Sequence, residues 1–582
     1  MGSGGRRTRP GRLATAAVAA WMIGGAAFGQ VVERHLPPAP APSPAPAPSP
    51  PEAAASDDDR PLGPVLHGIV LLGRDDPASA APAADPIDAS RLAKAEGWPL
   101  RRDLTPFLGK PLSRKLISDI EARIVRAFRR RGHPFVEVSA PEQELTGGLL
   151  RLRVVEFRLG KIAVAGAKAR EEARIARGVR ARPGQPIDGH QLEQDRDWLN
   201  RNPFRAVEIA LTPGAGLGET DVDLKVTRAR PWRVFGGYQT SDSLATGGDR
   251  YFVGALAALP LAPGAYASWQ LTASPDFWID HRLFGQAHPQ YVSQAGRLVA
   301  PTAPRQQIEL TIDAVETNQT VQAFQERQST FEASLDDRFA LSNLVPLPGD
   351  VAIGVEARRQ IHDTFFGGAA VVGGSEDVFQ ALLAWSNTWS DGRGDSSLGV
   401  ALHLSPGGVD RRNADSALAT DTNGRVTRSG YIYATMDFSR TIRLGRNFAL
   451  VDEMIGQLAD QALPATEQSA LGGQGLVRGY LLDDGAFDDA LIARQELRVP
   501  PVALRWPGVA AGSVAGFAFS DLGFGRDDAT RQSTFAASAG LGVSLQLGPH
   551  LHADVTANWP LVTLSHSTAG RPILDSRLTA TF

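Results

Sequence analysis

The sequence predicts two small α+β modules followed by an all-β transmembrane barrel of about 16 antiparallel strands. Three observations carry that expectation. From Trp232 onward the chain alternates apolar and polar residues in segments broken by Gly, Asp, Asn and Pro, and it ends in Arg577-Leu-Thr-Ala-Thr-Phe582. There Leu578, Ala580 and Phe582 share one strand face while Arg577, Thr579 and Thr581 share the other, which suits a wall with lipid outside and water inside. Past the N-terminus no apolar run is long enough to cross a bilayer as a helix, and mean hydropathy is -0.15. A closed barrel is the other structure that satisfies every backbone amide in lipid. Finally, residues 62–156 and 157–229 repeat one order of elements.

The chain begins with an export signal. Arg6, Arg7, Arg9 and Arg12 form a basic head, residues 13–28 are apolar, and Ala27-Phe-Gly29 places small residues where a signal peptidase reads. Cleavage is expected after Gly29, making 1–29 a signal peptide. The alternative is a membrane anchor, but about 16 apolar residues fall short of the roughly 20 that a span requires. Residues 30–61 form a linker whose core, Pro37 to Pro51, can build neither helix nor sheet. It reads as an extended polyproline spacer of about 45 Å, at roughly 3.1 Å per residue.

In the first module, Val65-Leu-His-Gly-Ile-Val-Leu-Leu72 is a strand candidate. Ser113 can cap a helix in which Ile117, Ile120, Ile124 and Phe128 recur at spacings of three and four, up to Gly132. Val136-Glu-Val138 and residues 149–155 alternate as strands. In the second, residues 159–164 read as a strand and 171–178 as a short helix. Asp188 and Gln191 have capping-box spacing before a helix with Leu192, Trp198 and Leu199. Residues 204–211 and 220–226 close the unit as strands. Two units with one order suggest a tandem module.

Barrel strands are expected to start near 232, 250, 264, 289, 306, 322, 349, 377, 394, 428, 446, 487, 512, 534, 550 and 573. That number is even, as in bacterial outer-membrane barrels.

Composition removes several functions. The net charge of -3 gives no basic field for nucleic acid, and the absence of cysteine excludes disulfide scaffolds and Cys-ligated metal sites. Gly473, Gly475 and Gly479 mimic a nucleotide loop without the strand-helix frame such a loop needs. Gly-x-Ser-x-Gly is absent, and the 11 His residues show no metal spacing. No cofactor, metal or catalytic residue is implied. Arg129-Arg-Arg131 reads as a solvated helix end.

The first module contains Leu108-Gly-Lys-Pro-Leu112, Arg131-Gly-His-Pro-Phe135, Pro141-Glu-Gln143 and Gly148-Leu-Leu-Arg-Leu-Arg-Val-Val-Glu156. The second module adds Leu199-Asn-Arg-Asn-Pro203 and Leu211-Thr-Pro-Gly214. In the barrel, Leu471-Gly-Gly-Gln-Gly-Leu-Val-Arg-Gly-Tyr480 holds Val477, Arg478, Gly479 and Tyr480, and Ala493-Arg-Gln-Glu-Leu-Arg-Val-Pro500 follows. Gly516-Phe-Ala-Phe-Ser-Asp-Leu-Gly523 comes later, with Phe519, Asp521 and Gly523. With these stretches the tandem module resembles POTRA (polypeptide-transport-associated) domains. The chain from about residue 62 to its end resembles the TpsB transporters of two-partner secretion, of the ShlB/FhaC/HecB haemolysin secretion/activation type, with Val477 to Tyr480 matching the superfamily's loop signature and 516–523 its later strand motif.

The resemblance implies an outer-membrane transporter with POTRA domains in the periplasm, and a secreted, β-helical exoprotein as partner. Outer-membrane lipids and the barrel assembly machinery, reading Phe582, complete its implied partners. Loop 462–487, polar and Gly-rich, is expected to fold inward so that Arg478 pairs with Asp521 in the lumen. A barrel assembly or insertion factor of the same superfamily is the runner-up reading, and a passive porin-type channel a third. The chain departs from the family pattern twice. Only Gln30 to Leu36 could contribute a plug helix, and residues 74–90 look like an insertion in the first module.

Overall fold

The computed structural model describes residues 56–79, 85–92, 100–130, 133, 135–216, 218–260, 262–279, 288–505 and 511–582. The expected signal peptide, 1–29, and most of the expected linker, with its polyproline run and residues 30–36, lie outside the described residues. So do Arg131, Gly132 and Pro134, and part of the 74–90 stretch. The chain divides into two units, the first ending at Ala229 and the second starting at Arg230.

In the first module the helix runs Arg114–Arg129, and the Ser113 Oγ caps it by accepting from the Leu116 amide at 3.0 Å. Leu116, Ile120, Ile124 and Phe128 supply its buried stripe, with Ile117 half-buried beside them. A stripe at spacing four lies along one face of a 3.6-residue helix. The four-stranded sheet has the order Ile87–Asp88, Gly68–Leu72, Leu149–Glu156, Val136–Ser139. Gly68–Leu72 is buried at every position. This suits a central strand covered on both faces, and it pairs in parallel with both neighbours.

Two expectations change here. The strand expected over residues 65–72 is broken, because Leu66 and His67 turn their amides to Lys110 O (2.9 Å) and Gly148 O (2.7 Å). Pro61–Val65 instead pairs antiparallel with Pro111–Ser113. The 74–90 stretch is also more than an insertion, since Ile87–Asp88 adds an edge strand to the sheet.

The second module is built from Arg158–Ala165, helices Ala169–Gly178 and Gly189–Leu199, then Arg205–Pro213 and Glu219–Arg228. Asp188 caps the second helix by accepting from Gln191 N at 3.1 Å. Glu219–Arg228 lies central, parallel to the first strand and antiparallel to Arg205–Pro213. On the second helix the fully buried Asp195 accepts from Arg180 N (2.7 Å) and Arg180 Nε (2.8 Å), so its charge is paired.

The second unit is a closed barrel of sixteen antiparallel strands. They begin within a few residues of the expected positions, except the eighth, Ala369–Ser390, which starts well before 377. Its early part, Ala-Ala-Val-Val-Gly-Gly, lacks the polar alternation that marks a strand, and pairing with Asp350–Phe366 makes it one. The twelfth strand, Asp489–Arg498, is interrupted at Pro500 and Pro501, which have no amide proton to give. It resumes as Val502–Leu504 on the same neighbour, Gly512–Arg526.

The barrel closes where Trp232–Thr240 pairs with Ile573–Thr581. Val234 and Phe582 extend that seam by exchanging both backbone hydrogen bonds, at 3.2 and 2.8 Å. Along Gly512–Arg526 the exposed Leu522 and Phe524 alternate with the buried Phe519, Asp521 and Gly523. Val355, Leu383, Leu402, Phe535, Leu541, Val543 and Leu574 continue an exposed apolar surface around the wall. An apolar surface of that extent is a lipid-facing band.

Candidate functional site: a loop latched inside the barrel

The segment between the eleventh strand, Ala449–Ala459, and the twelfth touches walls that lie far apart around the barrel. Its Gln474 amide donates to Asp242 Oδ2 (2.9 Å), Leu482 N donates to Asp242 O (2.8 Å), and Gln474 Nε2 donates to Thr240 O (2.9 Å). Those partners sit at the end of the first strand. Glu467 meets Arg358, Gln380 (2.8 Å) and Tyr433 (2.9 Å), on the seventh (Asp350–Phe366), eighth and tenth (Gly430–Arg443) strands. Such contacts require the loop to cross the lumen. Its two limbs zip together through Ser469–Ala470 and Ala486–Phe487.

At the tip, Arg478 is engaged by a carboxylate on each of two adjacent strands. Its Nε donates to Asp521 Oδ2 and its Nη2 to Asp521 Oδ1, both at 2.7 Å. The Arg478 backbone amide also donates to Asp521 Oδ2, at 3.1 Å. Nη1 donates to Glu496 Oε1 at 2.6 Å. The guanidinium carbon lies 3.6 Å from the Phe519 ring centroid, a cation–π stack. Arg478 is 4 % exposed and Asp521 is 0 % exposed. A bidentate pair so enclosed fixes direction as well as charge. Removing one member of a pair so enclosed costs about 3–5 kcal/mol where no other group neutralises the one left behind.

The rest of the signature shapes the seat. Gly479 has φ +85°, which ordinary side chains rarely adopt, and it turns the chain directly after Arg478. The Tyr480 hydroxyl lies 2.8 Å from both Ala537 O and Val562 O, and it accepts from the Val562 amide at 3.0 Å. Val477 is fully buried against Leu471, Phe487, Ile492 and Ala536. A Cβ at Gly523 would stand 2.6 Å from Val477 Cγ2, and one at Gly525 would stand 2.5 Å from the Phe487 ring. These glycines hollow the wall where the loop docks. Phe582 lies elsewhere, at the closing seam, stacked near His550 with centroids 6.0 Å apart.

Several partners of the loop escaped the sequence. Glu496 was within reach of it: Arg494, Glu496 and Arg498 share one strand face, and Arg498 bonds Glu496 at 2.6 and 2.8 Å. Arg494 was equally visible. Asp488, also 0 % exposed, accepts from Arg425 at 2.7 and 2.8 Å and from the Leu463 and Asp528 amides at 2.8 Å. Arg358 and Glu467, 109 residues apart, carry no local signal of their pairing.

The family model for the haemolysin secretion/activation protein ShlB/FhaC/HecB matches residues 352–545, which contain the loop, Arg478 and Asp521. A ShlB-type POTRA domain model matches residues 87–156. The chain is an outer-membrane transporter similar to the ShlB/FhaC/HecB proteins. The Outer membrane transporter CdiB of Dickeya dadantii is 23% identical over 475 residues, covering 79% of this chain and 80% of that relative. Outer membrane transporter CdiB-2 of Burkholderia pseudomallei is 27% identical over 170 residues, 29% of this chain and 28% of its own length. In fold, the chain is similar to CdiB from Escherichia coli, with TM-score 0.67 and 18% identity over 92% of this chain and 94% of that one. CdiB from Acinetobacter baumannii gives 0.57 and 13%, over 89% and 90%.

Proposed function

We propose that this protein exports one or a few large partner proteins from the periplasm to the cell surface by two-partner secretion. The periplasmic modules, 62–156 and 157–229, capture the unfolded cargo, and the barrel lumen conducts it. The observation that carries this reading is the loop. A polar strap crosses the lumen on hydrogen bonds and ion pairs while the sixteen-stranded wall closes without it, so the strap can move and leave the wall intact. Its family relatives named outer membrane transporters support the same reading.

Capture by strand addition suits the modules. Val136–Ser139 ends the first sheet, and Arg158–Ala165 and Arg205–Pro213 flank the second, so each has an edge that no other strand of its sheet pairs and that an extended chain can join. Folding of the cargo, a β-helical exoprotein, at the surface supplies direction without nucleotide. No bond-making step or cofactor enters.

The test is co-production of this chain with a large secreted exoprotein as candidate cargo, in a host without exporters of this type. The cargo is expected at the surface or in the medium only when the full chain is present. It is expected to stay periplasmic when 158–227 is deleted, with the barrel still in the membrane. Cargo release that persists without those residues contradicts capture by the second module.

A further inference from the structure

Arg494 sits on the twelfth strand directly across the ladder from Asp521, as its Cα partner. Residues so paired share a face with their Cβ atoms about 4.5–5.5 Å apart, well within the reach of an arginine side chain. Yet Arg494 does not bond Asp521. Its Nη1 donates to Glu453 (2.9 Å) and to Gly475 O of the loop (3.1 Å), and its Nη2 donates to Gln474 O (3.3 Å). Its buried Nε has no hydrogen-bond partner among the described residues. An arginine held by Glu453 and two loop carbonyls, with one buried donor idle and a buried carboxylate as its cross-strand partner, is satisfied only in part.

We propose that Arg494 is an exchange cation: when the loop tip withdraws Arg478, Arg494 loses its two loop carbonyls and turns to Asp521, keeping that carboxylate neutralised in the open lumen. Asp521 is 0 % exposed and cannot be left charged and alone at low cost. Glu496, the other partner of Arg478, already has its own replacement in Arg498. Both acids that hold the tip therefore keep a cation after it leaves, and the loop parts from the wall without stranding a charge. The bonds from Arg494 to Gln474 O and Gly475 O couple the swap to the loop itself. Arg494 is thus a positioning residue that sets how readily the latch opens.

The inference rests on the loop moving during export, but its test needs no cargo. The measurement is the temperature at which the detergent-solubilised full-length barrel loses its heat-modifiable fold, taken through a mutant cycle. Arg494→Gln is expected to lower that temperature slightly in the wild type, where it bonds only Glu453 and the loop. In an Arg478→Ala background, where Asp521 depends on it, the same change is expected to lower the temperature several times as far. Adding Asp521→Asn is expected to abolish the excess, and Arg494→Lys to retain part of the protection. Such non-additivity between groups that do not bond in the closed state is the signature of exchange. An equal shift in both backgrounds, or an excess that survives Asp521→Asn, overturns the proposal. If the Arg478→Ala, Arg494→Gln barrel fails to assemble, assembly restored by Asp521→Asn supports exchange, and continued failure counts against it.

Discussion

Gly523 and Val477 meet as wall and wedge: the glycine lies on the thirteenth barrel strand, and a Cβ there would come within 2.6 Å of Val477 Cγ2 at the loop tip. One residue further along the loop is Arg478, and two residues back along the strand is Asp521. The absence of a side chain at 523 therefore sets how deeply the ion pair can seat. The ion pair and the apolar contact act as one lock.

The first expectation follows from that contact. Gly523→Val should overpack the seat by about 1–3 kcal/mol and push the tip off the wall. The barrel should assemble normally, while the 471–485 segment becomes open to protease added outside the cell and export falls. An unchanged cleavage pattern with normal export would mean that the tip does not need this hollow.

Phe582 completes the closing strand by exchanging two backbone hydrogen bonds with Val234. Its side chain is 61 % exposed, so it contributes little packing to the folded barrel. Deleting it should therefore reduce the amount of protein that reaches the outer membrane more than it lowers the melting temperature of the protein that arrives. Unchanged outer-membrane levels would remove its role as the residue that the assembly machinery reads.

Leu152 is fully buried opposite Leu71, in the middle of the first module's sheet. Leu152→Asp places a carboxylate in that core, which costs several kcal/mol or drives the acid to its neutral form. The module should become protease-sensitive and cargo should remain periplasmic, with the barrel still heat-modifiable. Normal export from this variant would move recognition out of the first module.

Much of this was legible in the sequence, and the reasons are physical. The barrel strands announce themselves because one face must suit lipid and the other water, so period-two alternation survives along most of the second unit. It fails at Ala369–Ser390, whose first six residues carry no polar alternation, and pairing alone makes them a strand. The helix Arg114–Arg129 was readable from Ser113 and its apolar spacing, whereas the break at Leu66 and His67 depends on carbonyls contributed by Lys110 and Gly148. At the site, Arg478 and Asp521 stood in recognisable motifs, and Glu496 and Arg494 lay one alternation away. The Arg358–Glu467 contact was invisible, since nothing local in either segment encodes which distant charge it will meet in the lumen.

The most direct test of the central claim is cargo export by Arg478→Ala, measured against the amount of folded barrel in the outer membrane. Arg478 joins the loop to Asp521 by two 2.7 Å side-chain bonds, and its loss should release the tip without dismantling the wall. Folded barrel should remain at the wild-type level and export should collapse. Arg478→Lys should restore only part of it, because an ammonium is a point charge without the planar fork. Wild-type export from Arg478→Ala, at equal barrel levels, would contradict the account.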